Sequence, residues 1–96
     1  MLKIEGIIWL PEIVEKLETK HHVESQEVKE VLGDYPIYRY IEKGHRRGEN
    51  VYAAMGQTSA GRYLIIFFVF KADHRALIVS GRDMTPAERT TYEKTK

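Results

Sequence analysis

The sequence YLIIFFVF at residues 63–70 is the longest apolar segment of the chain, and it decides the fold. A strand with one face in water alternates apolar and polar residues, whereas a segment that is apolar at nearly every position predicts a strand buried on both faces. We therefore expect residues 62–70 to form the central strand of a sheet that is covered on both sides. The segment is also far too short to span a bilayer.

Three further strands are predicted next to this central one. Aromatic and β-branched residues are frequent in residues 35–42, 50–57 and 75–80, and short segments rich in turn-forming residues separate them. Because each connection is short enough for a hairpin, the four strands are expected to form an antiparallel meander. Residues 4–9 are predicted to add a short first strand or an extended arm.

Two amphipathic helices are predicted before the meander and one after it. Pro11 opens the first helix, which runs to about Lys20, and the second covers about residues 24–32. The third begins at TPAE, residues 85–88, where the threonine can cap the helix and the glutamate can reach back to the cap. The whole chain is therefore predicted to be one α+β domain, residues 1–96, in which the sheet is antiparallel, has four to five strands and is flanked by these helices.

The two faces of the sheet need different covers. The first two helices can cover one face, because both are amphipathic and acidic on the outside. The last helix, or a partner protein, must then cover the other face.

Composition restricts the possible functions. The 96 residues include no cysteine, so the chain can form one core without disulfides and has no thiol chemistry. The sequence has no signal-peptide pattern, which favours a cytoplasmic protein without membrane association.

The two parts of the chain differ in charge. Residues 1–33 hold 4 Lys/Arg against 7 Asp/Glu, and residues 34–96 hold 11 against 7. The second half can thus form a basic surface for polyanions, or the charges can be mixed over the whole surface.

A strand-to-helix junction carries candidate phosphate ligands. Arg82 follows the last predicted strand and precedes the free amides of the third helix, where anions are favoured. Guanidinium donors match phosphate oxygens and keep their charge at any working pH. Arg82 can equally well end the strand and stabilise only its own neighbourhood.

Short segments along nearly the whole chain occur in an order and spacing that a known family shares. The chain resembles a BrnT-type toxin, a member of the broader RelE-like group of small ribonuclease toxins from type II toxin–antitoxin systems. The segments that carry this resemblance are Trp9 with Pro11, Lys20-His21 with Val23, Gly48-Glu49, Gly56 followed by Gly61-Arg62 with Leu64-Ile65, and Ser80-Gly81-Arg82 with Glu88-Arg89 and Tyr92-Glu93.

The resemblance implies a fold, an activity and a partner. It implies a RelE-like antiparallel sheet flanked by helices, and metal-independent RNA cleavage, without a cofactor, that arrests translation. The implied partner is a BrnA-type antitoxin, and operator DNA would be bound only through the complex with it. The chain differs from the family pattern at Leu10, His22 and Asn50, and at Asn50 an arginine is frequent. The alternative is therefore a catalytically weak or inactive homologue that binds an antitoxin and regulates the operon.

RNA cleavage without a metal needs a base, an acid and cations around the phosphorane that forms when the ribose 2′-hydroxyl attacks phosphorus. The resemblance implies that the catalytic candidates are Lys20, His21, Glu49, Arg82 and Arg89. We expect Arg82 and Arg89 to clamp a phosphate opposite Lys20, His21 and Glu49. Alternatively, Lys20 and His21 only stabilise the end of their helix.

Four further residues are candidates for RNA binding. They are Arg46, Arg47, Arg62 and Tyr92. In the alternative interpretation, the loop at residues 43–48 is a solvated hairpin tip, Arg62 is a surface cation and Tyr92 belongs to the core.

Two other functions are not favoured by the sequence. The four histidines lack a metal-ligand spacing, so no metal site is predicted. A DNA-binding protein is disfavoured, because the consecutive helix pair is acidic and lacks helix-turn-helix spacing.

Overall fold

The computed structural model describes residues 2–96. Five strands and three helices follow one another as β1 (Gly6–Ile8), α1 (Pro11–Lys20), α2 (Ser25–Gly33), β2 (Ile37–Lys43), β3 (Asn50–Gln57), β4 (Tyr63–Phe70), β5 (Arg75–Asp83) and α3 (Pro86–Thr95). The predicted α+β fold is confirmed, with two N-terminal helices and one C-terminal helix. Within the described residues, no helix has the length and apolar character that crossing a membrane requires.

The strands form one sheet in the order β1-β5-β4-β3-β2. The apolar strand β4 is therefore central, as its sequence predicts, and β2 to β5 form the predicted antiparallel meander. Strand β5 continues to Asp83, three residues beyond its predicted end, because its pairing with β4 extends to Leu64. The short strand β1 pairs with β5 in parallel, which a three-residue pattern could not predict.

One face of the sheet, which we call the helix face, packs against α1 and α2. Leu17 of α1 and Val31 of α2 are buried in the same cluster as Leu64, Ile66 and Phe68 of β4. These three β4 residues alternate along the strand, so they all point to the same side. The helix face therefore contains the larger part of the core.

Close packing of α1 on the sheet depends on Gly81. A Cβ atom at this position would lie 3.0 Å from Ile66 Cδ1 and 3.3 Å from Leu17 Cδ2. A side chain at position 81 would have to displace these two side chains by a few tenths of an ångström, and buried atoms have little free space into which they can move.

The opposite face, which we call the open face, carries α3 over one end only. Tyr92 of α3 is buried with Ala53, Met55 and Ile65. The helix crosses the sheet from the end of β5 towards the start of β2, where the Lys96 ammonium group donates to a backbone carbonyl at 3.1 Å. A ten-residue helix is only about 15 Å long. The other half of this face is therefore covered by neither α3 nor the other two helices.

The start of α3 matches its predicted capping box. The Thr85 hydroxyl accepts from the backbone N–H of Glu88 at 3.2 Å, and the Glu88 carboxylate accepts from the backbone N–H of Thr85 at 2.8 Å. These two bonds satisfy amides that lack a partner within the helix. They also fix the position of the Glu88 carboxylate beside the end of β5.

Candidate functional site

Arg82 lies on the open face beside α3, and Glu88 of α3 holds its guanidinium group. Nη1 and Nη2 donate to the two carboxylate oxygens of Glu88 at 2.7 and 3.0 Å. The guanidinium carbon lies 5.6 Å from the centre of the Phe67 ring. The predicted cation is thus at the helix start, but a carboxylate of the same chain already occupies its donor fork.

This ion pair lowers the pKa of the Glu88 carboxyl group. Hydrogen bonds from Arg82 are the largest cause, and they lower the pKa of Glu88 from 4.5 to about 2. The backbone amide of Thr85 lowers it further, whereas partial burial opposes the shift. While it is bound to Arg82, this carboxylate is charged at neutral pH and is a weak base.

Arg89 lies on the other flank of α3. Its guanidinium carbon is 3.9 Å from the centre of the Tyr63 ring, and about half of its side chain is exposed. Tyr63 and Phe67, which lie under Arg89 and Arg82, are four residues apart on β4, or about 13 Å along the strand. The two arginines therefore do not close on one phosphate, which corrects the predicted clamp.

Arg62 is a structural cross-link. Its guanidinium group donates to Asp83 at 2.8 and 3.2 Å, to Glu27 at 3.1 Å, and to the backbone carbonyls of His21 and His22. These bonds connect the turn after α1 to α2 and to the paired ends of β4 and β5. Because all its donor groups are engaged within the chain, the structure does not support the predicted role of Arg62 in RNA binding.

We expect Arg62→Met to lower the free energy of unfolding by about 2 to 3 kcal/mol, because it leaves two carboxylates and two carbonyls without their donor. Denaturation in urea, followed by the fluorescence of the single tryptophan, measures this change. Arg47→Met, at an exposed loop position, is the control and should change stability by less than about 0.5 kcal/mol. Equal stabilities of the two variants would contradict the cross-link.

Lys20 and His21 lie on the side of the helix face, whereas Arg82 lies on the open face. The neighbouring residues Arg82 and Asp83 point to opposite faces, and Asp83, which shares Arg62 with the His21 carbonyl, is on the helix face. The sheet therefore separates Lys20 and His21 from the guanidinium group of Arg82. The prediction that Lys20 and His21 form one site with Arg82 is therefore wrong.

Glu49 lies at the opposite end of the sheet. Its carboxylate accepts from the Lys71 ammonium group and from the Ala72 amide, both at 2.9 Å, and only 7% of the residue is exposed. Arg82 is paired with Ile65, six residues before Lys71, which places it about 20 Å away along β4. Glu49 thus fixes the turn between β4 and β5, and its predicted place opposite Arg82 is also wrong.

Arg46 and Arg47 are exposed on the loop between β2 and β3, as predicted. Arg46 borders a shallow concavity on the open face, above Val69 and Leu77. A Cβ atom at Gly44 would collide with the carbonyl oxygen of Glu49, so the loop can close only with glycine there. The predicted contact of this loop with RNA stays a prediction.

Tyr92 is a core residue. It is 3% exposed, and its ring packs edge-to-face on the Tyr63 ring at a centroid distance of 5.9 Å. A ring in this position has no free face for an RNA base, which corrects its assignment as an RNA-binding residue.

Two residues of the open face are not among the predicted site residues. The capping pattern predicts a role for Glu88 at the helix start only, although this residue lies in the first turn of α3, soon after the strand that carries Arg82. Arg39 is exposed and pairs directly with Ala53, so it lies on the same face. The alternation of side chains along β2 could have placed Arg39 there.

Acid should weaken the fold through Glu88. Its folded pKa of about 2 lies below the ordinary 4.5, so the unfolded chain binds the proton more readily. The stabilisation is complete above about pH 4.5 and is lost as pH falls towards 2. We expect Glu88→Gln, which retains a capping side chain, to cost about 1 to 2 kcal/mol at pH 7 after solvent screening.

Urea denaturation of both proteins at several pH values tests this linkage. The difference between native protein and Glu88→Gln should shrink steadily below pH 4.5. Glu15→Gln, at an exposed position in the middle of α1, is the matched control and should change stability at pH 7 by less than about 0.5 kcal/mol. A difference that stays constant with pH would contradict the assigned ion pair.

Neither a protein-family model nor a curated protein matches the sequence. The fold and the site define the chain as a small α+β domain whose sheet presents a basic, partly apolar surface beside its last helix.

Proposed function

We propose that this chain is a metal-independent RNA endonuclease, the toxin of a type II toxin–antitoxin system, which acts in the cytoplasm and arrests translation. The observation that carries the proposal is the Arg82–Glu88 pair at the edge of the open face. The resemblance to BrnT-type toxins supports it, because both residues belong to segments that carry that resemblance. By the same resemblance, the partner is a BrnA-type antitoxin.

RNA would lie across the sheet beside α3. Arg82 and Arg39 lie on the open face on either side of the Phe67 ring, which is half-buried. The two arginines are on strands three spacings apart, about 14 Å, so they can contact different phosphates of one RNA strand, and the accessible part of the aromatic ring can stack on a base of any sequence. Arg89, on the far flank of α3, can extend the contact to a further phosphate.

The ion pair offers a way to generate a base when substrate binds. A phosphate that takes the guanidinium group of Arg82 removes the hydrogen bonds that lower the pKa of Glu88, so this pKa rises. The Glu88 carboxylate then accepts the 2′-hydroxyl proton while the 2′-oxygen attacks the adjacent phosphorus. Arg82 stabilises the charge of the phosphorane. The bond to the 5′-oxygen breaks, this oxygen takes a proton from water, and a 2′,3′-cyclic phosphate remains. The hydroxide ion left by the water takes the proton from Glu88, which restores the carboxylate.

A second candidate function is a weak or inactive homologue that binds an antitoxin and regulates its operon. The positions of the histidines favour it, since in the described part of the chain none contacts Arg82. His21 and His22 lie behind the sheet, and His45 and His74 lie at its other end. Such a protein would keep the fold and the partner without the acid that fast cleavage needs.

Growth of bacteria after induced expression separates the two candidates. The ribonuclease toxin should arrest growth in its native form and not as Arg82→Ala, with both proteins folded and equally abundant. The absence of growth arrest by the folded native chain would contradict the toxin proposal. Equal arrest by both forms would contradict the proposed role of Arg82.

A further inference from the structure

Four half-buried aliphatic side chains form a continuous row across the open face. Ile8 pairs with Leu77, Leu77 with Val69, and Val69 with Val51 in the register of the sheet. Directly paired residues point to the same side, so all four side chains project from this face. None of them belongs to either buried core cluster of the described residues. We call these four residues the aliphatic row.

Cations flank both long sides of the aliphatic row. Arg39 lies on the side of α3, and Arg46 and Lys71 lie on the other side. Arg82 is also on the α3 side, but its partner on β4, Ile65, is about 13 Å along the strand from Val69. Arg82 and Lys71 are already bound by carboxylates of the chain. Arg39 and Arg46 have no carboxylate within ion-pair distance among residues 2–96. Two acids also border the row: Glu42 pairs with Val51 at its β2 end, and Glu49, whose carboxylate is bound by Lys71, lines the concavity above Val69 and Leu77.

The dimensions of the aliphatic row fit a short helix. Three strand spacings separate its ends, or about 14 Å, which is the length of about ten helical residues. One helical turn advances about 5.4 Å, close to the spacing of about 4.8 Å between strands, so successive turns can each place a side chain over one strand.

The packing of α3 on the same face shows how such a helix is held. It inserts Tyr92 between apolar residues of the sheet, and it presents Glu88 to Arg82. A second helix lying beside α3 over the aliphatic row would meet the same combination of apolar surface and sheet cations.

We propose that the aliphatic row is the docking site for a helix of a protein partner, about ten residues long, whose apolar stripe is flanked by acidic side chains on both sides. The acids would meet Arg39 and Arg46, and the stripe would cover the row. This inference does not depend on ribonuclease activity.

Two other occupants fit the surface less well. RNA bases stack on aromatic rings and gain little from valine, leucine and isoleucine, so RNA would leave the aliphatic row uncovered. In a second copy of the chain, α1 is acidic on its outside, but its apolar residues Ile13 and Leu17 already pack on its own sheet. Neither occupant combines an apolar stripe with flanking acids.

A synthetic helical peptide tests the proposal, with about 14 residues so that a ten-residue helix can form. It carries leucines on one side and glutamates on both flanks of that side, and the matched control carries lysines in place of the glutamates. Titration is followed by methyl NMR of the native protein. The glutamate peptide should bind at least about tenfold more tightly than the lysine peptide. The methyl signals of the aliphatic row should shift more than those of the rest of the protein.

Protein variants sharpen the test. Leu77→Gln should lower the affinity for the glutamate peptide by about tenfold. Tyr40→Gln, at an exposed position on β2, should leave this affinity unchanged. Arg39→Glu should reverse the preference between the two peptides. Val69→Thr, a smaller change in the aliphatic row, provides the test if Leu77→Gln does not fold.

Each opposite result overturns the proposal. Equal binding of both peptides, no binding, or shifts centred away from the aliphatic row would exclude an acidic helix. A dimer in sedimentation experiments that Leu77→Gln dissociates would assign the row to a second copy. Shifts of the row with a single-stranded RNA oligonucleotide, but not with the glutamate peptide, would assign it to RNA. Growth arrest bears on none of these outcomes, so the two proposals can fail separately.

Discussion

Arg82→Met should lower the rate of RNA cleavage by about two to three orders of magnitude, the usual cost of removing one group that stabilises transition-state charge. Methionine fills a similar volume and can cover Phe67, but it cannot donate to a phosphorane. The substitution also leaves Glu88 without the partner that a phosphate is proposed to take from it. Cleavage of a defined RNA oligonucleotide by purified protein measures the effect.

A matched arginine on the same strand is the control for this substitution. Arg75 is at the other end of β5, where Asp73 holds it, and Arg75→Met should leave cleavage within about threefold. Arg82→Lys should recover only part of the rate, because an ammonium group cannot donate in a fork. Equal cleavage by the native protein and Arg82→Met would contradict the assignment of the site.

Phe68→Ala is expected to cost about 3 to 5 kcal/mol of unfolding free energy, the range for removing a large buried aromatic side chain. Phe68 is fully buried at the centre of the helix face, and the rings of Tyr38 and Tyr52 both lie 6.1 Å from its ring. Domains of this size have a total stability of about 5 to 15 kcal/mol, so this loss is a large fraction of the total.

The neighbouring phenylalanine provides the comparison. Phe67 points to the open face and is only half-buried, so Phe67→Ala should cost about 1 to 2 kcal/mol. Chemical denaturation of both variants at 25 °C measures the two values. Similar costs would contradict the assignment of the larger core to the helix face.

The fold was largely predictable because its signals are local. The apolar segment of β4 predicted the central strand, and the capping sequence at Thr85 predicted the start of α3 within one residue. The parallel pairing of β1 could not be predicted, because it depends on a contact between distant parts of the chain. The length of α3 left open whether it would cover the whole second face, and in the structure it covers half.

The candidate site was less predictable, because catalytic residues had to be grouped without knowing which side of the sheet each one occupies. Side-chain alternation on β5 places Arg82 and Asp83 on opposite faces, and Arg62 connects Asp83 to the His21 carbonyl, so His21 is separated from Arg82. The donors of Arg62 are occupied by groups that are distant in sequence, which no local pattern indicates. Glu49 likewise has its partner, Lys71, at the far end of β4.

The most direct test of the Arg82–Glu88 site is an analysis of the RNA ends produced by purified protein in the presence of excess EDTA. The native chain should cleave single-stranded RNA and leave 2′,3′-cyclic phosphate ends, whereas Arg82→Met, with an unchanged circular dichroism spectrum, should form these ends at least about a hundredfold more slowly. The absence of cleavage by folded native protein, or cyclic phosphate ends formed equally by Arg82→Met, would contradict the assignment of this pair as the RNA-cleaving centre.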